Sequence, residues 1–377
     1  MSRDNLLGPG TPLDSRAGTG TARTGTATAP VTAGSGAAAE PLLRVRGLTV
    51  TLPGAGGGIR LVDGVDLDVR PGEILGIAGE SGSGKTVTGM TLVGLGPERA
   101  TVTGSVRYDG RELVAMPDKA WEGIRGREIA VVFQDPSSAL HPMLTVGRQI
   151  TDHVRRHRGI GRKQAAVRAV ELLDLVRIPG GASAAARYPH QFSGGMRQRI
   201  AIASALACGP RLLIADEPTT ALDVTVQAGI VGLLDELRRD TGMAVAMVTH
   251  DLGVLSSVAD RIAVFYSGRV VETGTVGEVI GAPRHPYTQG LLSALPHTAL
   301  GQRSAVGHAV PLRPIPGSAP AAGALPTGCP FHPRCSAALA GCDRDRPSPV
   351  SLSPTRTVAC VLAGSGSTGD TPSGRKA

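Results

Sequence analysis

Apolar residues follow two different patterns along this chain, and each pattern predicts a different kind of strand. Between residues 42 and 69 they alternate with polar ones, interrupted by the turn PGAGGG at 53–58. Such alternation is typical of strands that are buried on one face. Short runs at 73–78, 128–133, 212–215 and 244–249 are almost wholly apolar, as in parallel strands buried on both faces. The pattern predicts an α/β fold in which an antiparallel β subdomain precedes a mainly parallel sheet.

Helical patterns separate the apolar runs. They cover residues 145–157, 162–176 and 226–239, and a helix-compatible segment at 87–95 follows the first apolar run. Strands that alternate with helices in this way indicate helices packed on the faces of a parallel sheet. Residues 1–40 are mostly Ala, Thr and Gly without an apolar period, so we predict a disordered tail there.

Composition and charge narrow the class of protein only slightly. The 377 residues, 41% of them hydrophobic, suffice for two domains with a substantial core. No stretch approaches the ~18 apolar residues of a membrane span, and the start lacks a signal-peptide layout, so we expect a cytoplasmic protein. The net charge of +8 is compatible with nucleic acid or an anionic membrane surface. Aromatic residues make up only 2% of the chain, which disfavours the stacking platforms of single-strand binders.

One basic run, RRHRGIGRK at 155–163, stands out between two predicted helices. It would suit a contact to nucleic acid. A solvated loop between helices explains it equally well without a partner, and we favour that interpretation.

The sequence GESGSGKT has the composition and the context of a phosphate-binding loop. It lies between an apolar run and a helix-compatible segment. Glycine lets successive backbone N–H groups turn into one concavity, and the following helix N-terminus adds its positive dipole end. A dinucleotide-binding loop would instead read GxGxxG, followed by an acid about 20 residues later. The predicted nucleotide-binding residues are Gly79, Glu80, Ser81, Gly82, Ser83, Gly84, Lys85 and Thr86.

Polar residues follow three of the predicted core strands. Asp216 and Glu217, Gln134, and His250 each come directly after an apolar run, so they should meet at the carboxyl edge of the sheet. We predict that Asp216 and Thr86 bind Mg²⁺, and that Glu217 orients and deprotonates the attacking water. Gln134 would bind Mg²⁺ or orient the water as a further catalytic residue. Lys85 would reach the terminal phosphates, as His250 would reach the γ-phosphate. Paired acids are often helix-start charges and a lone histidine is often a core residue, but the phosphate loop favours the catalytic interpretation.

A second anion-binding nest is predicted at Ser193, Gly194 and Gly195, where a helix begins. Ser193 can act as its N-cap and leave backbone N–H groups free. One nucleotide rarely needs two such nests. We therefore expect this nest to serve a nucleotide that is held by a partner molecule.

Six motifs in this order resemble those of an ABC-type ATPase subunit. GESGSGKT, FQDP, FSGGMRQR, LLIADEP, ALD and VTHD are similar to its Walker A, Q-loop, signature, Walker B, D-loop and switch histidine. The resemblance covers about residues 42–362. The signature differs from the common LSGGQ in Phe192 and Met196, a form that resembles the dipeptide and oligopeptide importer subgroup. HPYTQGLLSALP and CPFHPRC are similar to the C-terminal extension of ATPases from peptide and nickel importers.

The resemblance implies a domain organisation around a P-loop NTPase core. The ABC ATPase domain would cover residues 41–285 and include a helical subdomain at about 136–192. The peptide-importer C-terminal extension, with its cysteine motif, would cover residues 286–362. A second disordered tail would occupy residues 363–377.

The resemblance also implies a mechanism. Two ATPase subunits, identical or related, would close head to tail around two ATP molecules, each held between the P-loop of one and Ser193, Gly194 and Gly195 of the other. Closure would drive two transmembrane permease subunits, contacted by residues at about 135–150, which receive solute from an extracytoplasmic solute-binding protein. Leu52 stands where the family commonly has an aromatic residue that stacks on adenine, so base stacking differs here.

Four of the five cysteines lie near the end of the chain, at Cys329, Cys335, Cys342 and Cys360. Their spacing is not that of the CxxC pairs in a zinc ribbon. Four thiolates can hold an iron–sulfur cluster, and the tail resembles family members in which a cluster is found. A 4Fe–4S cluster or another metal, and buried or reducible free thiols, are the alternatives.

These observations predict the ATP-binding and ATP-hydrolysing subunit of an ABC importer for dipeptides or oligopeptides, peripheral on the cytoplasmic face of the cell membrane. The alternative class is a soluble ABC ATPase that acts on nucleic acid or ribosomes. Such proteins usually carry two cassettes or long coiled coils, and this chain has one cassette without a heptad run. A third interpretation is a metal-regulated binding module built on the tail. Other subunits would select the solute, so dipeptides, longer peptides and nickel are all open at this point.

Overall fold

The computed structural model describes residues 40–54, 58–220, 222–295 and 314–363. The tails predicted at 1–40 and 363–377 lie outside the described residues, except for Glu40 and Ala363.

An antiparallel sheet forms the first part of the described chain. Its strands, in spatial order β2-β1-β4-β5, are β1 (Leu43–Leu52), β2 (Ile59–Val69), β4 (Thr101–Tyr108) and β5 (Arg111–Glu112). Alternate residues such as Val45, Val65 and Val106 are buried, and their neighbours are more exposed. The sheet is therefore apolar on one face, and the predicted antiparallel subdomain is confirmed.

The second sheet has eight strands in the order β11-β12-β10-β9-β3-β8-β7-β6. They are β3 (Ile74–Ala78), β6 (Ile129–Val132), β7 (Leu212–Asp216), β8 (Ala244–Val248), β9 (Arg261–Tyr266), β10 (Arg269–Thr275), β11 (Val350–Ser351) and β12 (Thr357–Val358). The pairs from β9 to β6 are parallel, and β10, β12 and β11 add antiparallel strands at the edge. Every residue of β3, β7 and β8 is buried, because both faces of the sheet are covered.

Two apolar clusters cover the two faces of this central sheet. In β3, Ile74 and Ala78 belong to one cluster, and Leu75 and Ile77 belong to the other. The first cluster contains most of the buried apolar residues of the helices from residue 146 onwards, and the second contains the buried face of the antiparallel sheet with Trp121. The α/β fold with a P-loop core that the sequence predicts is therefore confirmed.

The helices lie in the expected order along the chain. They are α1 (Lys85–Thr91), α2 (Asp118–Trp121), α3 (Pro136–Ala139), α4 (Val146–Arg158), α5 (Arg162–Leu175), α6 (Gly181–Ala185), α7 (Gly194–Ala205), α8 (Val224–Thr241), α9 (Leu252–Val258), α10 (Val276–Gly281) and α11 (Pro286–Ser293). Helices α3 to α6 occupy the predicted helical subdomain. In the part of the chain that the structure describes, no helix is both long and apolar enough to cross a bilayer.

The basic run at 155–163 differs from the loop that its sequence suggests. Its first four residues form the last turn of α4, where positive charge is favoured by the helix dipole. Arg156 pairs with Glu122 at 3.2 Å, and Arg158 donates a hydrogen bond to the Cys208 carbonyl. The run therefore has a structural explanation within the helical subdomain.

The C-terminal extension joins the central sheet through a buried carboxylate on β10. Glu272 is fully buried and accepts hydrogen bonds from the backbone N–H groups of Arg284 (3.0 Å) and His285 (2.9 Å). Its other partner is the guanidinium of Arg356, which is also buried. In β12, Val358 pairs with Glu272 in the sheet. The extension thus shares a hydrogen-bonded core with the cassette.

Replacing Glu272 by Ala should lower the free energy of unfolding by about 3 kcal/mol, because Arg356 and two backbone N–H groups then lose their buried acceptor. Urea denaturation of the full chain measures this. The control is Glu122→Ala, since the Glu122–Arg156 pair is exposed and should change stability by less than ~1 kcal/mol. Equal effects of the two substitutions would contradict the expected role of Glu272.

Candidate active site

The phosphate-binding loop connects β3 to α1 in a conformation that requires glycine. Gly79 has φ 147°, and a Cβ there would lie 2.3 Å from the carbonyl oxygen of Phe265. Gly84 has φ 99°, and a Cβ there would lie 2.8 Å from the Leu61 carbonyl oxygen. Both contacts are too short for any side chain. The loop is thus wrapped tightly by β2 and by the turn between β9 and β10.

Lys85 is the first residue of α1 and is buried beneath the loop. Its Nζ donates hydrogen bonds to the carbonyl oxygens of Gly79 (2.7 Å) and Glu80 (2.8 Å). Burial lowers the pKa of Lys85, and the charges of Glu217 and Asp216 oppose that shift. The ammonium group is therefore held inside the loop by backbone oxygens, at the place where phosphate oxygens would bind.

Thr86 and Asp216 meet at the end of β7. The Thr86 hydroxyl donates a hydrogen bond of 3.0 Å to the Asp216 carboxylate. Burial raises the pKa of Asp216, and the bond from Thr86 lowers it. A hydroxyl and a carboxylate beside a phosphate loop suit Mg²⁺, which takes few protein ligands and keeps waters or phosphate oxygens on its other positions. These two residues therefore fit the predicted magnesium site.

The Glu217 carboxylate is the meeting point of three side chains. One of its oxygens accepts hydrogen bonds from Thr220 Oγ1 (2.7 Å) and Gln134 Nε2 (3.1 Å), and the other lies 3.4 Å from His250 Nδ1. Burial would raise the pKa of Glu217, but hydrogen bonds from Thr220 and His250, with the charges of His250 and Lys85, bring it below its ordinary value. The carboxylate is thus kept ionised.

The backbone also marks Glu217 as unusual. Its φ is 44°, a left-handed conformation that non-glycine residues seldom adopt. The strained residue is stabilised by its N–H, which donates a hydrogen bond of 2.8 Å to the Val248 carbonyl on β8. Such strain commonly occurs at functional sites.

The structure brings most of the predicted site residues into one cavity of about 990 Å³. It is lined by residues 79–86, Gln134, Glu217 and His250. Thr220 supports Glu217, but its contact was not predicted, because a threonine three residues after the acids carries no separate sequence signal. Ser193, Gly194 and Gly195 do not line this cavity. They begin α7, where the Ser193 hydroxyl accepts the N–H of Met196 at 3.4 Å, so the predicted N-cap is present.

Glu80 has contacts that the sequence did not predict. Its carboxylate accepts two hydrogen bonds, of 2.7 and 2.9 Å, from the Arg334 guanidinium. Its backbone N–H donates to the Tyr287 hydroxyl at 2.8 Å. Arg334 and Tyr287 both belong to the extension, more than 200 residues later in the chain, so local patterns could not reveal these contacts. Glu80 therefore joins the loop to the extension.

The four C-terminal cysteines lie around one small pocket. Cys329, Cys335, Cys342 and Cys360 all line it, and all four are free thiols. Burial raises the pKa of Cys329, Cys335 and Cys360, and neighbouring thiols add to each shift. Among the described residues, no group of three or more His, Cys, Asp or Glu side chains is placed to hold a metal ion. The described residues thus contain no preformed metal-binding group at the place of the predicted 4Fe–4S cluster.

Comparisons with known proteins identify the family of this chain. The family model described as ABC transporter matches residues 62–220, and the model described as oligopeptide/dipeptide transporter, C-terminal region, matches residues 271–342. A putative peptide import ATP-binding protein of Brucella abortus is 48% identical over 321 residues, which cover 85% of this chain and 94% of that protein. The chain belongs to the ATP-binding proteins of ABC transporters. The predicted family is therefore confirmed.

Other relatives of this ABC ATPase include two proteins named for transport. The dipeptide transport ATP-binding protein DppD of Bacillus subtilis is 45% identical, and the match covers 86% of this chain and 95% of DppD. The oligopeptide transport ATP-binding protein OppD of Salmonella typhimurium is 42% identical, covering 85% and 94%.

A solved structure shows a related cassette after hydrolysis. The dimeric ATP-binding cassette MJ0796 bound to ADP and Pi is 31% identical, with a TM-score of 0.56, and covers 62% of this chain and 98% of that one. As an ABC ATPase, the present chain hydrolyses ATP with Mg²⁺. The comparisons give no support to the predicted alternative of an ATPase that acts on nucleic acid or ribosomes.

Proposed function

We propose that this chain is the ATP-hydrolysing subunit of a peptide importer, bound peripherally to the cytoplasmic face of the membrane. The phosphate loop and the hydrogen-bonded Glu217 carboxylate line one cavity, and Asp216 is bonded to Thr86 of that loop. This arrangement carries the ATPase part of the proposal. The relatives named for peptide, dipeptide and oligopeptide transport, which match over nearly their whole length, support peptides as the solute.

The residues of the cavity divide the work of hydrolysis. Lys85 and the loop N–H groups bind the phosphates. Thr86 and Asp216, with Gln134, would hold Mg²⁺, which would supply neutralisation of negative charge. Glu217 orients the attacking water and accepts its proton. Thr220 and Gln134 hold the Glu217 carboxylate in place. His250 contacts the γ-phosphate and also contacts Glu217. It therefore links the γ-phosphate to the general base.

The position of the signature residues supports a two-subunit site. Ser193, Gly194 and Gly195 lie outside the cavity that contains the phosphate loop, and the N-terminus of α7 attracts anions. In the proposed dimer they bind the nucleotide of a second ATPase subunit, identical or related. Two permease subunits and, through them, a solute-binding protein complete the importer.

Purification of the tagged chain from its own membranes in mild detergent tests this proposal. We expect two multi-spanning permease subunits and an ATPase partner to co-purify. Dipeptide or oligopeptide uptake should be lost when the chain is deleted and restored when it is returned. Recovery of ribosomes or nucleic acid without permeases would overturn the importer and leave the ATP site intact.

We also propose that the four-cysteine pocket holds an iron–sulfur cluster. The support is the shared lining of one pocket by Cys329, Cys335, Cys342 and Cys360, because four cysteine thiolates are the usual ligands of such a cluster. Anaerobic purification should yield brown protein whose iron content falls in Cys335→Ser and is kept in Cys208→Ala. Iron-free anaerobic protein that takes up no iron and sulfide on reconstitution would refute a cluster.

A further inference from the structure

One wall of the ATP cavity comes from the C-terminal extension. Leu291, Ala294 and Leu295, at the end of α11 and just beyond it, line the cavity together with residues 319–322, whose sequence is Ala-Pro-Ala-Ala. The phosphate loop and the catalytic side chains line the rest, with Leu61 of β2. The cassette alone therefore does not enclose this cavity.

The wall is attached to the phosphate loop through Arg334. The Arg334 side chain is buried and donates from Nε to the Pro316 carbonyl at 2.8 Å, while its other nitrogens bind the Glu80 carboxylate. Next to Pro316, Ile315 packs so closely on α11 that a Cβ on Gly290 would lie 2.9 Å from it. Residues 315–323, which we call the wall segment, are thus held at their start by both the phosphate loop and α11.

The other end of the wall segment lies beside β2. A Cβ on Gly323 would be 3.6 Å from Ile59, two residues before Leu61. The segment therefore runs from the phosphate loop, near Glu80, to the strand that contributes Leu61. It therefore borders the cavity on the side that joins the phosphate loop to β2.

The chemistry of this wall suits a nucleoside. Its side chains are all apolar, and those of residues 319–322 are small, whereas the charged groups lie at the phosphate loop, Glu217 and His250. Small-molecule sites combine an apolar lining with a few polar groups that fix orientation. One such group is Ser267 Oγ, which is buried in the cavity wall without a hydrogen-bond partner among the described residues. Leu52 does not line the cavity.

We propose that the extension forms the base-binding wall of the ATP site. Affinity for the nucleotide base then depends on Leu291, Leu295 and residues 319–322. Arg334 positions residues 319–322 because it connects Pro316 to Glu80. This inference rests on the proposed binding of the phosphates at the loop around Lys85. It assigns the extension a direct part in nucleotide recognition.

Titration calorimetry with the full chain tests the proposal by comparing ATP with inorganic tripolyphosphate, which has no base. Leu291→Asn should weaken ATP binding about five- to tenfold, because an apolar contact to the base is replaced by a polar group, and leave tripolyphosphate binding unchanged. Leu339→Asn is the matched control, since Leu339 is exposed in the same extension and outside the cavity. Its ATP affinity should equal that of the unmodified chain.

A second pair of variants tests Arg334, which connects the wall segment to Glu80. Arg334→Ala should weaken ATP binding selectively, as Leu291→Asn does, and Arg344→Ala, which removes an exposed arginine of the extension, should have no effect. A tryptophan at residue 321 (Ala321→Trp) should change its fluorescence when ATP binds but not when tripolyphosphate binds. A tryptophan placed by Leu339→Trp should respond to neither, with the native Trp121 present in both proteins.

The outcomes separate the wall from the phosphate site. Unchanged ATP affinity in Leu291→Asn, or an equal loss for ATP and tripolyphosphate, would overturn the base-binding wall. The Lys85→Ala variant should lose affinity for both ligands, because it removes the phosphate contact. If that variant bound both normally, the proposed nucleotide site itself would be wrong, whatever the result for Leu291.

Discussion

Replacing Glu217 by Gln should lower the rate of ATP hydrolysis by about 10²- to 10⁴-fold, the usual contribution of a general base. The amide has nearly the shape of the carboxylate, so Thr220 and Gln134 keep a partner at that position. It cannot accept the proton of the attacking water at neutral pH. ATP affinity should stay within about threefold, because Lys85 and the loop bind the phosphates.

Phosphate release at saturating ATP measures the rate, and calorimetry measures the affinity. Glu236→Gln is the control, since Glu236 lies on the exposed part of α8 and pairs with Arg177. Its turnover should equal that of the unmodified chain. Near-normal turnover of Glu217→Gln would rule out Glu217 as the base.

Replacing Lys85 by Ala should weaken ATP binding by about 30-fold or more, the effect of removing one partner from a buried charged contact. Burial already lowers the pKa of Lys85, so its ammonium group gains strongly from phosphate oxygens. Two backbone carbonyls, those of Gly79 and Glu80, also lose their hydrogen bonds in this variant.

Equilibrium binding of ATP measures this effect, and circular dichroism verifies that the fold persists. Lys119→Ala provides the matched control, because Lys119 is exposed on α2 and does not line the cavity. Its affinity should not change. If the two lysine variants bound ATP equally well, the assignment of the phosphate site to this loop would fail.

Much of the fold follows from local patterns in the sequence. The apolar runs that predicted core strands are buried in β3, β7 and β8, because a strand covered on both faces needs apolar residues at every position. The ends of the elements differ from the predicted ones by a few residues. For example, the helix predicted from residue 87 begins at Lys85 in the structure. Local propensity sets where a helix can form, and the loop geometry at Gly84 decides where it begins.

Part of the site could also be predicted from sequence. Asp216, Glu217, Gln134 and His250 follow strands that end at the same edge of a parallel sheet, so their convergence follows from topology. The support that Thr220 gives to Glu217 depends on a single strained turn, which no pattern in the sequence encodes.

The amino-acid sequence by itself determined the family, the phosphate loop and the residues at the ends of the core strands, because each depends on short stretches with a regular spacing. Only the tertiary structure decided that the extension adds strands to the central sheet and that Arg334 and Tyr287 reach Glu80. Contacts across more than 200 residues depend on how complete elements pack, and the buried Glu272 and Arg334 ion pairs form only when that packing is complete.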